Sequence, residues 1–198
     1  MSPELTILPA NEASCEDLQA VFGDRGTSYV CQCQRYKLEP HESFGAVPRQ
    51  ERMLRLWDQT DCGNPGSEDT SGLVAYLDGE PVGWCAVEPR PEYFGLVRVF
   101  KVPWEGRNED RTDRSVWAVT CLFTRKGYRK QGVSRALAKA AVEFARSRGA
   151  RAVEAYPITV KNVIDEEMHV GTPATFAAAG LVEVGRPTKR RAVMRLDF

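Results

Sequence analysis

Residues 116–149 read VWAVTCLFTRKGYRKQGVSRALAKAAVEFARSRG, and this stretch decides the fold. Val116 to Phe123 is a near-continuous apolar run, the pattern of a strand buried on both faces. Tyr128, Arg129, Lys130, Gln131 and Gly132 then form a basic turn with a glycine in it. From Val133 a helical period begins: Val133, Leu137, Ala140, Ala141 and Phe144 recur at steps of three and four and share one face. Gly149 stands where the helix should stop. Strand, turn and helix start together make an anion site. The first N–H groups of a helix lack intrahelical partners, and the macrodipole is positive at that end. Glycine in the turn lets a phosphate approach the backbone. Arg125, Lys126, Arg129 and Lys130 crowd the turn, and nothing acidic follows until Glu143. The stretch therefore reads as a cradle for a diphosphate.

The turn lacks the G-x-x-x-x-G-K-[ST] of a Walker loop and the G-x-G-x-x-G of a dinucleotide fold. It carries Arg129-x-x-Gly132-x-Ser134, which resembles the R/Q-x-x-G-x-G/A signature of the GNAT superfamily of acyl-CoA-dependent N-acetyltransferases, with Ser134 in place of the small Gly/Ala. The resemblance implies that the pyrophosphate of acetyl-CoA binds at Arg129, Lys130, Gln131, Gly132, Val133 and Ser134. It also implies a sheet whose central parallel strands splay apart, so that the pantetheine arm inserts and bonds backbone at Leu122 and Thr124.

Around this centre the chain reads as an α/β protein, a mixed and mostly antiparallel sheet with a central parallel pair and flanking helices. Arg151 to Tyr156 is a strand closed by Pro157, so the unit is strand–helix–strand and parallel. Upstream, Leu73–Leu77 and Val82–Val87 flank Asp78-Gly79, a strong hairpin signal. Downstream, Thr172 caps a short helix with Pro173 at its first position, Gly180 stops it, and Leu181–Val184 pairs with Ala192–Leu196. Phe176 to Leu181 resembles the family's closing aromatic-x-x-x-Gly-Phe. The resemblance implies a single domain spanning 1–198, with 73–198 as the cofactor-binding core and 1–72 as a variable part that shapes the acceptor site. There Leu5–Leu8 suggests a strand, Glu12–Phe22 a helix capped by Asn11 or Ser14, and Pro48–Trp57 another helix. Ser28–Tyr36 reads as extended, as does a short piece within Tyr93–Val102, and Pro103–Arg114 as a mobile polar loop. By the resemblance, Cys31, Cys33 and Arg35 lie near the acceptor.

Composition narrows the function. The 27 Lys plus Arg balance 27 Asp plus Glu, which argues against a nucleic-acid binder. Apolar runs are strand-length, so no membrane partner is expected. No basic region leads into an apolar core at the N-terminus, so a cytoplasmic protein with reduced thiols is expected. Cys31-x-Cys33 lacks two further ligands of suitable spacing, since the only histidines are His41 and His169; packed thiols are the expectation and no metal is expected.

The implied activity is transfer of an acetyl or other small acyl group from acetyl-CoA to a primary amine, on a small molecule or a peptide, by direct attack in a ternary complex. The amine must be neutral to attack, the oxyanion needs a donor, and an acid can protonate the leaving thiolate. Many members carry a tyrosine where this chain has Phe176, which has no proton to give. Tyr156, at the end of the strand after the helix, is the substitute candidate for acid, and Glu88, ending the second hairpin strand, for base; Glu154 and His169 are further carboxylate and imidazole candidates. Cys121 as a nucleophile is weighed against a buried apolar thiol, which is the better fit. Trp57, Trp84 and Tyr93 mark a small-molecule pocket or simply core. The rival readings are a non-catalytic acyl-CoA-binding module and a protein lysine or N-terminal acetyltransferase. A homodimer is compatible with the sequence but not readable from it.

Overall fold

The computed structural model describes residues 3–198. Its seven strands are β1 (Leu5–Pro9), β2 (Leu73–Leu77), β3 (Glu80–Pro89), β4 (Val116–Thr124), β5 (Ala152–Ala155), β6 (Val182–Thr188) and β7 (Arg191–Asp197). They form one sheet in the order β1-β2-β3-β4-β5-β7-β6, antiparallel throughout except for the parallel pair β4–β5. The helices are α1 (Cys15–Phe22), α2 (Gly26–Cys31), α3 (Arg49–Thr60), α4 (Phe94–Val99), α5 (Val133–Ser147) and α6 (Pro173–Ala177). Among the described residues no helix is long and apolar enough to cross a membrane.

The hairpin forms as its turn chemistry dictates. Asp78 and Gly79 both take left-handed backbone, with φ of 51° and 82°, as a two-residue turn between twisted strands requires. On one face of the sheet, α5 lays Val133, Leu137, Ala138, Ala141 and Val142 against Val82, Cys85, Val87, Val119 and Leu122. Gly83 lets the helix come this close: a Cβ there would stand 2.8 Å from Val133 Cγ1 and 3.0 Å from Leu137 Cδ1. On the other face Trp84, Ala86, Ala118 and Cys121 pack with Leu18 and Phe22 of α1, Leu56 of α3, and Tyr93. Ser14 caps α1 by accepting from Asp17 N–H at 3.0 Å, and Thr172 caps α6 through Thr175 N–H.

Four expectations change. Residues 26–31 form the short helix α2 instead of an extended segment. None of its side chains is buried, so local bonds decide its form: Ser28 Oγ donates to Phe22 O, and Gln32 N–H returns to Ser28 O. Tyr93–Val102 holds α4, preceded by a 3₁₀ turn at Arg90–Glu92, because both edges of β3 are already taken by β2 and β4. The 103–114 loop is tied down by the burial of Trp104 and by Arg107, which donates to Pro103 O at 2.8 Å. Finally, Cys15 and Cys62 form a disulfide that joins the start of α1 to the segment after α3, while Cys31, Cys33, Cys85 and Cys121 are free. Sequence spacing could not reveal a pair 47 residues apart.

Candidate active site

The parallel pair is short. Pairing runs from Val116↔Ala152 to Val119↔Ala155 and ends there, while β4 continues to Thr124 and β5 gives way to Tyr156 and Pro157. The two strands therefore part beyond Val119. Leu122 and Thr124 both lie on the length of β4 that pairs with β3 but no longer with β5. Phe176 closes the same region. A Cβ on Gly171 would meet its ring at 2.8 Å and Leu122 Cδ1 at 3.2 Å, so Phe176 and Leu122 stand beside one another under that glycine. In β4 the register to β3 skips Thr120, with Val87 opposite Val119 and Ala86 opposite Cys121. This bulge sits one residue past the last parallel pair and re-aims the backbone there.

From Thr124 the chain enters the basic turn. Gly132 is the residue before α5 and has φ 85°; Lys130 is also left-handed at 65°. Arg135 and Ala136 N–H both bond Gly132 O at 3.0 Å, so helical bonding starts there and the N–H groups of Val133 and Ser134 lead the helix. The first turn of α5 carries no acid. A Cβ on Gly132 would meet nothing within 4 Å, which leaves open space over the helix start. Arg125 is held by Pro81 O at 2.6 Å and Arg129 Nε lies 3.5 Å from Thr124 O. Gln131 Nε2 donates to Gly127 O, and the Ser134 and Thr124 hydroxyls are 3.1 Å apart. Every residue of the expected diphosphate cradle is thus gathered at one helix start, in a turn that suits an anion.

The opposite face carries a buried polar nest. Glu88, 7% exposed, forms an ion pair with Lys37 and accepts from Ser71 Oγ at 2.9 Å. Lys37 Nζ also lies 4.9 Å from the centre of the Tyr93 ring. Tyr93 is buried. Burial, and then the charge of Glu88, push that phenol well above its ordinary value. Glu88 stands opposite Ala118, one position before the parallel pair ends. The sequence pointed to Glu88 by its strand end. Lys37 and Ser71 carried no such signal, because their partner is distant in sequence.

Tyr156 and Glu154 are placed differently. Glu154 is fully buried with Arg90, Arg107 and Arg195 around it, at 3.1 Å for Arg90 and 2.8 Å for Arg195. Burial raises its carboxyl, but the Arg107 hydrogen bond and the arginine charges outweigh burial and hold it below the ordinary value. The Tyr156 hydroxyl donates to Glu154 Oε2 at 2.9 Å, and burial and that carboxylate push the phenol well up. The His169 ring lies 6.3 Å from that of Tyr36.

The Acetyltransferase (GNAT) family matches residues 33–169, well over half of the chain. The chain belongs to this family, whose members use acetyl-CoA for acyl transfer to amine acceptors. No curated protein matches the sequence. Among solved structures the fold resembles that of an acetyltransferase of the GNAT family from Streptococcus pneumoniae, at 18% identity and TM-score 0.54, covering 98% of this chain and 99% of that one. It likewise resembles YncA from Salmonella typhimurium, solved with its cofactor acetyl-CoA, at 14% identity and TM-score 0.53, covering 98% and 93%. A GCN5-related N-acetyltransferase from Kribbella flavida matches at 15% identity and TM-score 0.53, covering 98% of each chain.

Proposed function

We propose that this protein is an N-acetyltransferase that moves an acetyl or small acyl group from acetyl-CoA to a primary amine by direct attack in a ternary complex. The observation that carries the reading is the end of parallel pairing at Val119 and Ala155, followed within one strand by the glycine-containing basic turn and the start of α5. Acetyl-CoA supplies an activated carbonyl on a thioester. In this reading Arg129 and Lys130 offset the diphosphate charge, and the backbone from Gln131 through Gly132 and Val133 to Ser134 donates to its oxygens. The backbone of Leu122 and Thr124 holds the pantetheine arm between the parted strands. Leu122 and Phe176 supply an apolar wall beside it.

On the other face Glu88, which stands opposite Ala118 one position before the parallel pairing ends, serves as the base for the amine. It already holds a primary ammonium, that of Lys37, which models the contact an acceptor ammonium would make there. Tyr156 stands at the end of β5 with its proton engaged by Glu154; it can act as an acid only when that bond is released. A thiol with pKa near 8.5 leaves adequately without an acid at neutral pH, so Phe176 does not bar turnover.

Calorimetric titration with acetyl-CoA, with NAD and ATP as controls, followed by turnover on a panel of primary amines, tests this reading. Binding of acetyl-CoA alone, together with release of free thiol in the presence of an amine, is expected. Binding without turnover on any amine would instead mark a non-catalytic acyl-CoA-binding module, the reading that Phe176 favours.

A further inference from the structure

Lys37 is a primary amine built into the face that carries Glu88. Both side chains are buried, and they form an ion pair. The backbone sets the lysine there. Lys37 N–H donates to Gln34 O at 3.0 Å, and Gly95 N–H donates to Tyr36 O at 2.9 Å, which ties the 34–37 turn to α4. Gln34 is held in turn by Gln59 of α3, through amide bonds of 2.8 and 3.2 Å. The Lys37 ammonium lies 4.9 Å from the centre of the Tyr93 ring. Tyr93 packs in the same cluster as Ala118 and Cys121 of β4 and Tyr156, which follows β5. Glu88 stands opposite Ala118, and β4 leaves β5 after Val119. A strand advances about 3.3 Å per residue, so the carboxylate that holds this amine is anchored one such step before the strands part.

We propose that Lys37 is a self-acetylation site, to which the protein transfers an acetyl group from acetyl-CoA. This rests on the function proposed above and gives the transferase an acceptor within its own chain. Two observations select this lysine. Its Nζ is already paired with the carboxylate that serves as the base, in the contact an acceptor ammonium would make. Its burial shuts it away from the active site of any other protein molecule, so the transfer occurs within one chain. Lys126, Lys130, Lys139 and Lys189 are exposed instead, open to any acylating reagent in solution.

The step balances. Glu88 takes one proton from the ammonium, and the freed Nζ lone pair attacks the thioester carbonyl. The N–C bond forms and the C–S bond breaks. A second proton, shed by the nitrogen, neutralises the leaving thiolate, and Glu88 passes its own proton to solvent. Nothing is oxidised or reduced. The product amide carries no charge, so the ion pair is gone, while Glu88 retains the Ser71 hydroxyl at 2.9 Å. A buried carboxylate that has lost its cation is left uncompensated. The acetylated protein therefore receives an acceptor ammonium at Glu88 without first displacing Lys37.

The test is timed incubation of the whole protein with labelled acetyl-CoA, followed by peptide mapping. One acetyl group on Lys37 is expected before any on Lys126, Lys130, Lys139 or Lys189, at a rate independent of protein concentration. Acetic anhydride, which needs no bound coenzyme, should give the reverse order, because burial shields Lys37. Glu88→Gln should slow labelling of Lys37 by about 10²–10⁴-fold with the affinity for acetyl-CoA kept. A mark already present on the purified protein should be absent from Gly132→Glu, and an equal mark in that variant overturns the proposal. So do earlier labelling of the exposed lysines by acetyl-CoA and a rate that rises with protein concentration. Lys37 left unmodified in protein that acetylates an added amine overturns the proposal and leaves the transferase reading standing. Protein that binds no acetyl-CoA overturns the transferase reading itself. The KM for an added amine should fall as the mark accumulates, and an unchanged KM overturns the release of Glu88.

Discussion

Arg90 and Glu154 meet at 3.1 Å with neither side chain exposed to solvent. Arg90 is stacked at 4.7 Å on Trp104 and donates to Asp110 O at 2.8 Å, while Glu154 also receives Arg107 and Arg195. The cluster therefore joins the end of β3, the 103–114 loop, β5 and β7 around one carboxylate. Its role is to anchor the loop to the sheet.

Removing that carboxylate leaves Arg90 buried beside only Glu109 and a carbonyl. Glu154→Ala should cost about 3–5 kcal/mol, the usual penalty for breaking a buried pair from one side. The folded carboxyl titrates below its unfolded value, so its contribution is complete above the unfolded pKa and is lost as pH falls through the folded one. Denaturant titration between about pH 7 and pH 3 should show a steeper acid loss in the native protein than in Glu154→Gln. Arg114→Ala, which breaks a largely exposed pair with Glu92, should change stability by less than about 1 kcal/mol. Equal effects of the two substitutions would refute the anchoring role.

The β4–turn–α5 unit was legible because a strand buried on both faces and a helix with one apolar face leave different periods in the sequence. The Asp78-Gly79 hairpin was legible because its two left-handed residues are chemically marked. The expected fold follows from those two units, and the strand order agrees with it. The sites of long-range charge were not legible. Glu154 looked like a solvated base candidate, since nothing local announces that Arg90, Arg107 and Arg195 converge on it. The same holds for Lys37 on Glu88 and for Cys33 on Trp84, 51 residues apart in sequence. The α2 and α4 segments were misread because helices of six residues are too short to show a period, and α2 buries none of its side chains.

Gly83 sets how closely α5 approaches the sheet. A Cβ would also stand 3.3 Å from Ala75 Cβ, so the added carbon is hemmed in on three sides. Gly83→Ala should therefore cost about 1–3 kcal/mol through overpacking. Because Val133 opens α5, it should also displace the helix start and weaken acetyl-CoA binding. A thermal melt and a titration on the same preparation check both. A loss of stability with unchanged affinity would separate the helix position from the cofactor site.

Gly132 offers the converse case, since no atom lies within 4 Å of its would-be Cβ. Gly132→Glu should cost only the left-handed backbone strain of about 1–2 kcal/mol. It should nonetheless abolish acetyl-CoA binding, by placing bulk and negative charge over the helix start. Arg129→Ala should weaken binding by about 1.5–3 kcal/mol, the range for a hydrogen bond to a charged group. Raising the salt should weaken the native protein's binding as well. Unchanged affinity in folded Gly132→Glu would place the diphosphate elsewhere.

Glu88 decides between a catalytic and a structural nest. A base for the amine contributes about 10²–10⁴ in rate, so Glu88→Gln should lower kcat by that factor while the affinity for acetyl-CoA is kept. The glutamine retains an acceptor for Ser71, so the local hydrogen bond at 2.9 Å survives and the fold should hold. The rate of the variant should recover as pH rises and more of the amine is already neutral, because a free amine no longer needs the carboxylate. A structural pair with Lys37 predicts the other pattern: a lower melting temperature, an unchanged pH profile, and an equal loss in Lys37→Met, which removes the ammonium but leaves the carboxylate. Measuring kcat against pH for the native protein and both variants therefore assigns Glu88. Recovery at high pH confined to Glu88→Gln places the base there, and parallel profiles for both variants place it elsewhere.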